Sequence, residues 1–185
     1  MKKSVKVILL SALGFAAVLS ASTLTSCKRD KCKTIACQHN GTCNDGDGSC
    51  SCAPGFEGSM CEVTTRDKYT GSWQVDENGT TTGRQDYVVA IEHSLVPGAN
   101  YADVQIKNMN NTVNGRVDAT VKGDTIYIPT QTIDNKTVEG IGYLHDDTYY
   151  GVHGALTLRY RITYNDTKSV SDFGFIIGEP SEWHK

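Results

Sequence analysis

The stretch Cys32–Cys61 reads CKTIACQHNGTCNDGDGSCSCAPGFEGSMC and holds six of the seven cysteines of this 185-residue chain. The 124 residues that follow Cys61 contain no cysteine. A segment this short cannot bury enough apolar surface for a core of its own, so disulfides are expected to replace the core. The stretch therefore predicts a small stapled module, followed by a separate domain of a different kind.

Clustered cysteines also bind metals, and that alternative has to be weighed. Zinc sites commonly pair thiolates that are separated by two residues, and no gap between successive cysteines here has that length. Asp45 and Asp47 offer carboxylates to calcium, but two acidic residues in a glycine-rich turn are usually solvated turn formers. We therefore expect no metal and no cofactor. Six cysteines allow many pairings, so their spacing alone leaves the disulfide connectivity open.

The first residues have the pattern of an export signal. Lys2, Lys3 and Lys6 precede an apolar run from Val7 to Leu19, which is too short to span a membrane comfortably. We predict a signal peptide over residues 1–26.

The signal ends in Leu24-Thr25-Ser26-Cys27, which resembles the lipobox of bacterial lipoproteins. The resemblance implies cleavage before Cys27 and attachment of acyl chains to it, which anchor the protein stably in a membrane. It also accounts for the odd number of cysteines; the alternative is an ordinary secretory signal with Cys27 as a spare thiol. Lys28 follows where an inner-membrane retention signal has Asp, so we expect an outer-membrane, lipid-anchored protein of the cell envelope.

The charge of the chain argues against one class of partner. The formal net charge is −3, from 18 basic and 21 acidic residues. Removal of the three lysines in the signal leaves 15 basic residues and a charge of −6. Proteins that bind nucleic acids usually carry a basic field instead, so no nucleic-acid partner is expected.

The end of the cysteine-rich stretch has a specific pattern. Cys50–Gly58, reading CSCAPGFEG, and the later Cys61 match the C-x-C-x-x-G-[FY]-x-G-x-x-C ending of EGF-like domains. Residues 38–43, QHNGTC, are also similar to that family. The resemblance implies the disulfides Cys32–Cys43, Cys37–Cys50 and Cys52–Cys61. The gap between Cys43 and Cys50 is shorter than usual, which should tighten the hairpin there.

The rest of the chain alternates apolar and polar residues. This pattern covers residues 87–91, 104–106, 117–128, with a turn at Lys122–Asp124, and 156–164, after which a second turn leads into a last strand from Val170 to Ile177. It predicts about eight short strands joined by tight turns. Such a mainly β domain folds as an antiparallel barrel or sandwich. Gly71-Ser72-Trp73 resembles the G-x-W of lipocalin-like barrels, which implies an up-and-down barrel with Trp73 at one end. An immunoglobulin-like β-sandwich is the alternative fold.

These patterns divide the chain into consecutive segments. The predicted organisation is a signal peptide (1–26), a lipidated tether (27–31), an EGF-like domain (32–62), a linker (63–68) and a lipocalin-like barrel domain (69–185).

The alternation also predicts which side chains point into the barrel. Medium-sized apolar side chains without charges are expected there, and a filled core is favoured over a cavity. If a cavity exists, the side chains expected to line it are Val89, Ile91, Val104, Ile106, Leu156, Leu158 and Ile162, with Val117, Val121 and Ile126 on the same face.

Catalytic chemistry has little support in the sequence. His145 and His153 bracket a predicted hairpin, and Glu92 and His93 end a strand, but isolated polar residues of this kind usually lie at the surface. No nucleophile elbow, zinc-protease or phosphate-binding motif occurs, so we expect no enzyme.

Two functions remain. The first is a non-catalytic interaction module that presents its surface to a protein or glycan, and the second is a carrier of a small apolar ligand inside the barrel. A filled interior with exposed aromatic residues among Tyr101, Tyr143, Tyr149 and Tyr150 would favour the first function.

Overall fold

The computed structural model describes residues 31–185. The predicted signal peptide and Cys27 lie outside this part of the chain. Within residues 31–185 no helix is long and apolar enough to cross a membrane. The described chain is mainly β, and it has a small N-terminal module with three disulfides and a closed antiparallel barrel of eight strands.

The N-terminal module contains two short antiparallel strand pairs. Asn44 and Asp47 shape the turn between the first pair, because their side chains accept the backbone N–H groups of Gly46 and Ser49. The strands are Thr42–Cys43 (β1), Cys50–Ser51 (β2), Phe56–Glu57 (β3) and Val63–Thr64 (β4), with a 3₁₀ helix at Lys31–Thr34.

Three disulfides hold this module together. They join Cys32 to Cys43, Cys37 to Cys50 and Cys52 to Cys61, which is the pairing that the EGF-like resemblance implies. Each bridge closes a loop of about ten residues, and loops of this size typically contribute roughly 2–3 kcal/mol to stability.

The second unit is the barrel. Eight strands form it, namely Gly71–Gly79 (β5), Gly83–His93 (β6), Asp103–Lys107 (β7), Arg116–Lys122 (β8), Thr125–Ile133 (β9), Lys136–Asp147 (β10), Gly151–Tyr164 (β11) and Ser181–His184 (β13). Val170–Phe173 (β12), which precedes β13, is a short ninth strand of the same sheet, and 3₁₀ helices lie at Thr65–Lys68 and Met109–Asn111.

The barrel is up-and-down from β5 to β11, as the sequence predicted. Each of these strands pairs with the next one along the chain. The gap between β11 and β5 is closed by β13, which pairs with both of them. β12 pairs with the remaining part of β11, at Arg161–Thr163.

The end of the chain differs from the sequence prediction, which placed one strand over Val170 to Ile177. The strand stops at Phe173, because the carboxylate of Asp172 accepts the backbone N–H groups of Phe175, Ile176 and Ile177 and bends the chain. The chain then returns as β13, the strand that closes the barrel.

Glycines on β10 allow large side chains to fill the interior. Gly140 and Gly142 lie opposite Tyr160 and Leu158 on β11. A Cβ atom at Gly142 would lie 2.7 Å from Leu158 Cδ1, and a Cβ atom at Gly140 would lie 2.6 Å from Tyr160 Cβ. The missing side chains on β10 therefore make room for those of β11.

The predicted linker, residues 63–68, is a structured part of the junction between the two units. Val63–Thr64 pairs with Phe56–Glu57, and the backbone N–H of Thr65 donates to the carbonyl of Gly55 at 2.9 Å. Thr65 and Tyr69 are buried. The connecting segment therefore packs against both units.

A stack of planar groups crosses the same junction. The rings of His39 and Phe56 lie parallel with centroids 4.1 Å apart, and Phe56 contacts the ring of Tyr101 in the barrel at 4.8 Å. The guanidinium of Arg66 lies over the Tyr101 ring, 4.7 Å from its centre. Aromatic and cation–π contacts of this kind hold the module against the β6–β7 loop.

An ion pair network reinforces the stack. The ammonium of Lys68 lies 2.7 Å from carboxylate oxygens of both Glu57, in the module, and Asp124, in the barrel. Burial alone would lower the pKa of Lys68, but its hydrogen bonds to Asp124 and Glu57 raise the pKa above the ordinary value. Lys68 therefore stays charged and bridges the two units.

We predict that Gly55→Ala separates the module from the barrel. A Cβ atom at Gly55 would lie 2.4 Å from the carbonyl carbon of Tyr101, and its φ is +88°. Strain in the left-handed region costs about 1–2 kcal/mol, and the overpacking adds about 1–3 kcal/mol. Limited proteolysis should show faster cleavage within residues 63–68, and urea unfolding should show the lost stability.

Gly98→Ala is the matched control, because Gly98 has a φ of +85° and open space around its Cα. It carries the same backbone strain without the clash. Equal proteolysis of the two variants would contradict the packed junction.

Candidate functional site

The residues predicted to line a ligand cavity all lie inside the barrel. Their side chains are at most 1% exposed and belong to one continuous core. The core also contains large rings, among them Trp73, Trp183, Tyr160 and Phe173, with Tyr160 stacked on Phe173 at 4.3 Å. These side chains fill the interior, so the predicted lining residues contact one another and the rings.

Trp73 is fully buried near the start of β5. Its indole N–H donates to the carbonyl of Tyr69 at 2.7 Å, and the Tyr69 hydroxyl donates to the carbonyl of Gly123 at 3.0 Å. The ammonium of Lys185 lies 5.0 Å from the indole ring. Trp73 and Tyr69 thus cover the barrel end from which β5 begins.

The prediction of an interior without charges is wrong, because Glu77 on β5 is only 2% exposed and points inward. Four donors surround its carboxylate. Oε1 accepts the hydroxyl of Tyr87 and the side-chain amide of Asn110, each at 2.8 Å. Oε2 accepts the hydroxyls of Tyr160 at 2.7 Å and Ser181 at 2.6 Å.

These donors come from different parts of the barrel wall and from one irregular segment. Tyr87 lies on β6, Tyr160 on β11 and Ser181 on β13, whereas Asn110 lies in the short helix Met109–Asn111. The Ser181 hydroxyl in turn accepts the indole N–H of Trp183 at 2.7 Å. The Glu77 carboxylate therefore ties the closing strand and the short helix to the rest of the barrel.

The two tyrosines act as donors because they stay protonated. Burial is the main cause that raises the pKa of Tyr87, followed by the nearby charge and hydrogen bond of Glu77. Burial likewise raises the pKa of Tyr160, together with its interactions with Tyr87 and Glu77. The arrangement satisfies a carboxylate with neutral groups, as a buried charge requires.

The alternation of residues along β5 contained a signal that Glu77 points inward. Trp73, Val75 and Glu77 alternate along one strand, so they share a face. The charge of Glu77 suggested solvent exposure, whereas its position two residues after Val75 indicated the interior.

The histidines singled out in the sequence do not form a common site. His145 Nδ1 lies 3.3 Å from the carbonyl of Tyr143, and the backbone N–H of His153 donates to Asp146. His93 lies 3.8 Å from Asp67, and Glu92 is paired with Lys107 at 2.7 Å. Among residues 31–185 no group of three His, Cys, Asp or Glu side chains could hold a metal ion.

The four tyrosines named as possible surface contacts are exposed. The exposed fractions are 52% for Tyr101, 49% for Tyr143, 85% for Tyr149 and 42% for Tyr150. Tyr101 belongs to the junction, and Tyr143 lies on the outer face of β10. Tyr149 and Tyr150 are adjacent in the turn between β10 and β11, and their rings contact each other at 4.9 Å.

Comparisons with known proteins give no functional assignment for this chain. No protein-family model matches the chain. A solved structure from Bacteroides ovatus, described as a structural genomics protein of unknown function, is similar with a TM-score of 0.38 and 12% sequence identity. The match covers 63% of this chain and 41% of that protein, so this chain spans less than half of its length.

Proposed function

We propose that this protein is a non-catalytic interaction module, exported to the cell envelope and anchored in the outer membrane by acyl chains on Cys27. The observation that carries the proposal is the filled barrel together with its exposed, ordered tyrosines. A barrel whose interior is occupied by its own side chains serves as a scaffold, and its binding residues then lie on the outside.

The interior argues against the alternative role as a carrier. Small-molecule pockets typically have volumes of about 300–1,000 Å³. The inward side chains here include two tryptophans that are both 0% exposed, so no open space of that kind borders them in the described chain. The polar centre at Glu77 already has its donors, so an entering ligand would have to displace an internal partner. Displacing such a partner without replacing its hydrogen bond is costly.

The absence of catalysis is part of the proposal. The Glu77 carboxylate is enclosed and its oxygens are occupied by hydroxyl and amide donors. A catalytic carboxylate has to reach a substrate, and this one contacts side chains of the same chain. The histidines singled out in the sequence are dispersed: the His145 ring contacts the carbonyl of Tyr143, and the His93 ring lies 3.8 Å from the Asp67 carboxylate.

The anchor and the junction together would fix the barrel near a membrane. Four residues separate Cys27 from Cys32, and an extended chain spans at most about 3.6 Å per residue. The first disulfide would therefore lie within roughly 20 Å of the acylated residue. Because the module contacts the barrel through the Phe56–Tyr101 rings and the Lys68 ion pairs, a short tether would also restrict where the barrel surface can point.

The anchor predicts the behaviour of a Cys27→Ser variant. It should no longer incorporate a fatty-acid analogue, and it should accumulate as uncleaved precursor, because the lipobox resemblance implies that acylation precedes cleavage. Metabolic labelling followed by gel fluorescence measures this. Labelling of the variant at the level of the parent chain would contradict anchoring at Cys27.

The filled interior predicts that apolar ligands leave the protein unchanged. A carrier at a ligand concentration of 100 Kd would gain about 2.7 kcal/mol, which for a chain of this size raises Tm by roughly 5–10 °C. Thermal melts with palmitate and with a long-chain isoprenoid alcohol should show no such rise. A saturable rise in Tm would refute the scaffold and support the carrier.

A further inference from the structure

The hairpin between β10 and β11 exposes three large apolar side chains at its tip. Tyr149 is 85% exposed, Val152 is 75% exposed and Tyr150 is 42% exposed. We refer to Tyr149, Tyr150 and Val152 together as the aromatic tip. Scattered exposed apolar residues need no explanation, but two adjacent tyrosines that are held rigidly in water suggest a binding surface.

Hydrogen bonds fix the backbone of the aromatic tip. One carboxylate oxygen of Asp147 accepts the backbone N–H groups of Tyr149 at 2.7 Å and Tyr150 at 2.9 Å. These hydrogen bonds lower the pKa of Asp147 below its ordinary value, and the bond from Tyr150 has a larger effect than the bond from Tyr149. The carboxylate stays ionised at neutral pH, so the turn keeps both bonds.

The rings are fixed as well. Tyr150 stacks on His184 of the closing strand with ring centres 4.5 Å apart and an interplanar angle of 21°. Tyr149 packs edge-on against Tyr150 at 4.9 Å and 81°. Gly154 permits this packing, because a Cβ atom there would lie 2.4 Å from the Tyr150 carbonyl oxygen. Because these contacts already order the side chains of the aromatic tip, binding a partner costs little further conformational entropy.

The charges around the aromatic tip exclude anionic partners. Asp146 and Asp147 precede it, and residues 143–158 contain no Lys or Arg. The nearby Lys185 directs its ammonium toward the carbonyl of Lys68, at 2.6 Å, and the Trp73 ring. Two carboxylates in a hairpin segment that has no Lys or Arg repel phosphate and other acidic groups, which disfavours nucleic acids, anionic lipid surfaces and acidic polysaccharides.

The size of the aromatic tip argues against a protein partner. With about 200 Å² for each aromatic side chain, the exposed parts of the tip offer roughly 300 Å². A stable protein interface buries about 800 Å² on each partner. The tip is thus too small for a protein interface but large enough for one or two sugar rings.

We propose that the aromatic tip binds a neutral polysaccharide chain. The C–H groups on the face of a sugar ring are slightly positive, and they fit the negative face of a tyrosine ring. Sugar hydroxyls can donate to the carboxylates of Asp146 and Asp147, which form strong charge-assisted hydrogen bonds. The inference rests on the proposed interaction module and names its partner class and its binding residues.

Affinity gel electrophoresis tests the proposal with the full chain solubilised in a polyoxyethylene detergent, which carries no sugar. Native gels contain soluble β-glucan, mannan, xylan or galactan, and polygalacturonate serves as the acidic comparison. At least one neutral polymer should retard the protein, and Tyr149→Ala and Tyr150→Ala should each weaken that binding about tenfold or more. Polygalacturonate should cause no retardation.

Tyr127→Ala is the matched control, because Tyr127 is 45% exposed on the outer face of β9. Its affinity should equal that of the parent chain. Retardation by none of the four neutral polymers would overturn the proposal, as would binding that survives both tip substitutions.

Failure of the glycan assignment can be separated from failure of the interaction module. If the glycans fail while apolar ligands leave Tm unchanged, the scaffold stands and the partner assignment is wrong. If apolar ligands raise Tm, the module itself is wrong.

Discussion

The carboxylate of Glu77 is the interaction on which the barrel depends. It is buried inside the barrel, and all four of its hydrogen-bond donors in the described chain are neutral groups. A buried charge that loses a partner is left with an uncompensated desolvation cost, so each donor has to remain in place. Three donors belong to the wall and one belongs to the short helix Met109–Asn111.

The segment around that helix has a strained backbone. Asn108, Asn110 and Asn111 adopt φ values of 60°, 54° and 50°, a conformation that asparagine tolerates better than most residues. The hydrogen bond from Asn110 offsets part of that strain.

This internal network explains why the binding chemistry is expected outside the barrel. Buried rings and aliphatic side chains fill the rest of the interior, so the barrel serves as a support. The support extends to the N-terminal module through the Phe56–Tyr101 contact and the Lys68 ion pairs. It extends to the β10–β11 hairpin through the Tyr150–His184 stack. Because His184 ends the same strand that brings Ser181 to Glu77, the exposed tyrosines are connected to the buried Glu77 network by one short strand.

The sequence predicted much of the fold because alternation along a strand depends on local pattern. It placed Val89, Leu158 and Ile162 inside and the Lys122–Asp124 turn between two strands, and the structure agrees. The donors of Glu77 could not be predicted in this way, since they lie 10, 33, 83 and 104 residues away from it along the chain. Ser181–His184 was missed because a four-residue strand after Pro180 has almost no pattern of its own, and its pairing with β5 is set by barrel closure. The rigidity of the hairpin tip was also hidden, because it depends on the contact between Tyr150 and the distant His184.

The most direct test is the free energy of unfolding of Tyr160→Phe, measured by urea denaturation beside Tyr143→Phe. The two substitutions remove the same hydroxyl, but Tyr160 donates to the buried Glu77 carboxylate whereas Tyr143 is 49% exposed on β10. A hydrogen bond to a charged group contributes about 1.5–3 kcal/mol, so Tyr160→Phe should lose that amount. Tyr143→Phe should stay within about 0.5 kcal/mol of the parent chain. Equal stability of the two variants would contradict a barrel that depends on the Glu77 network.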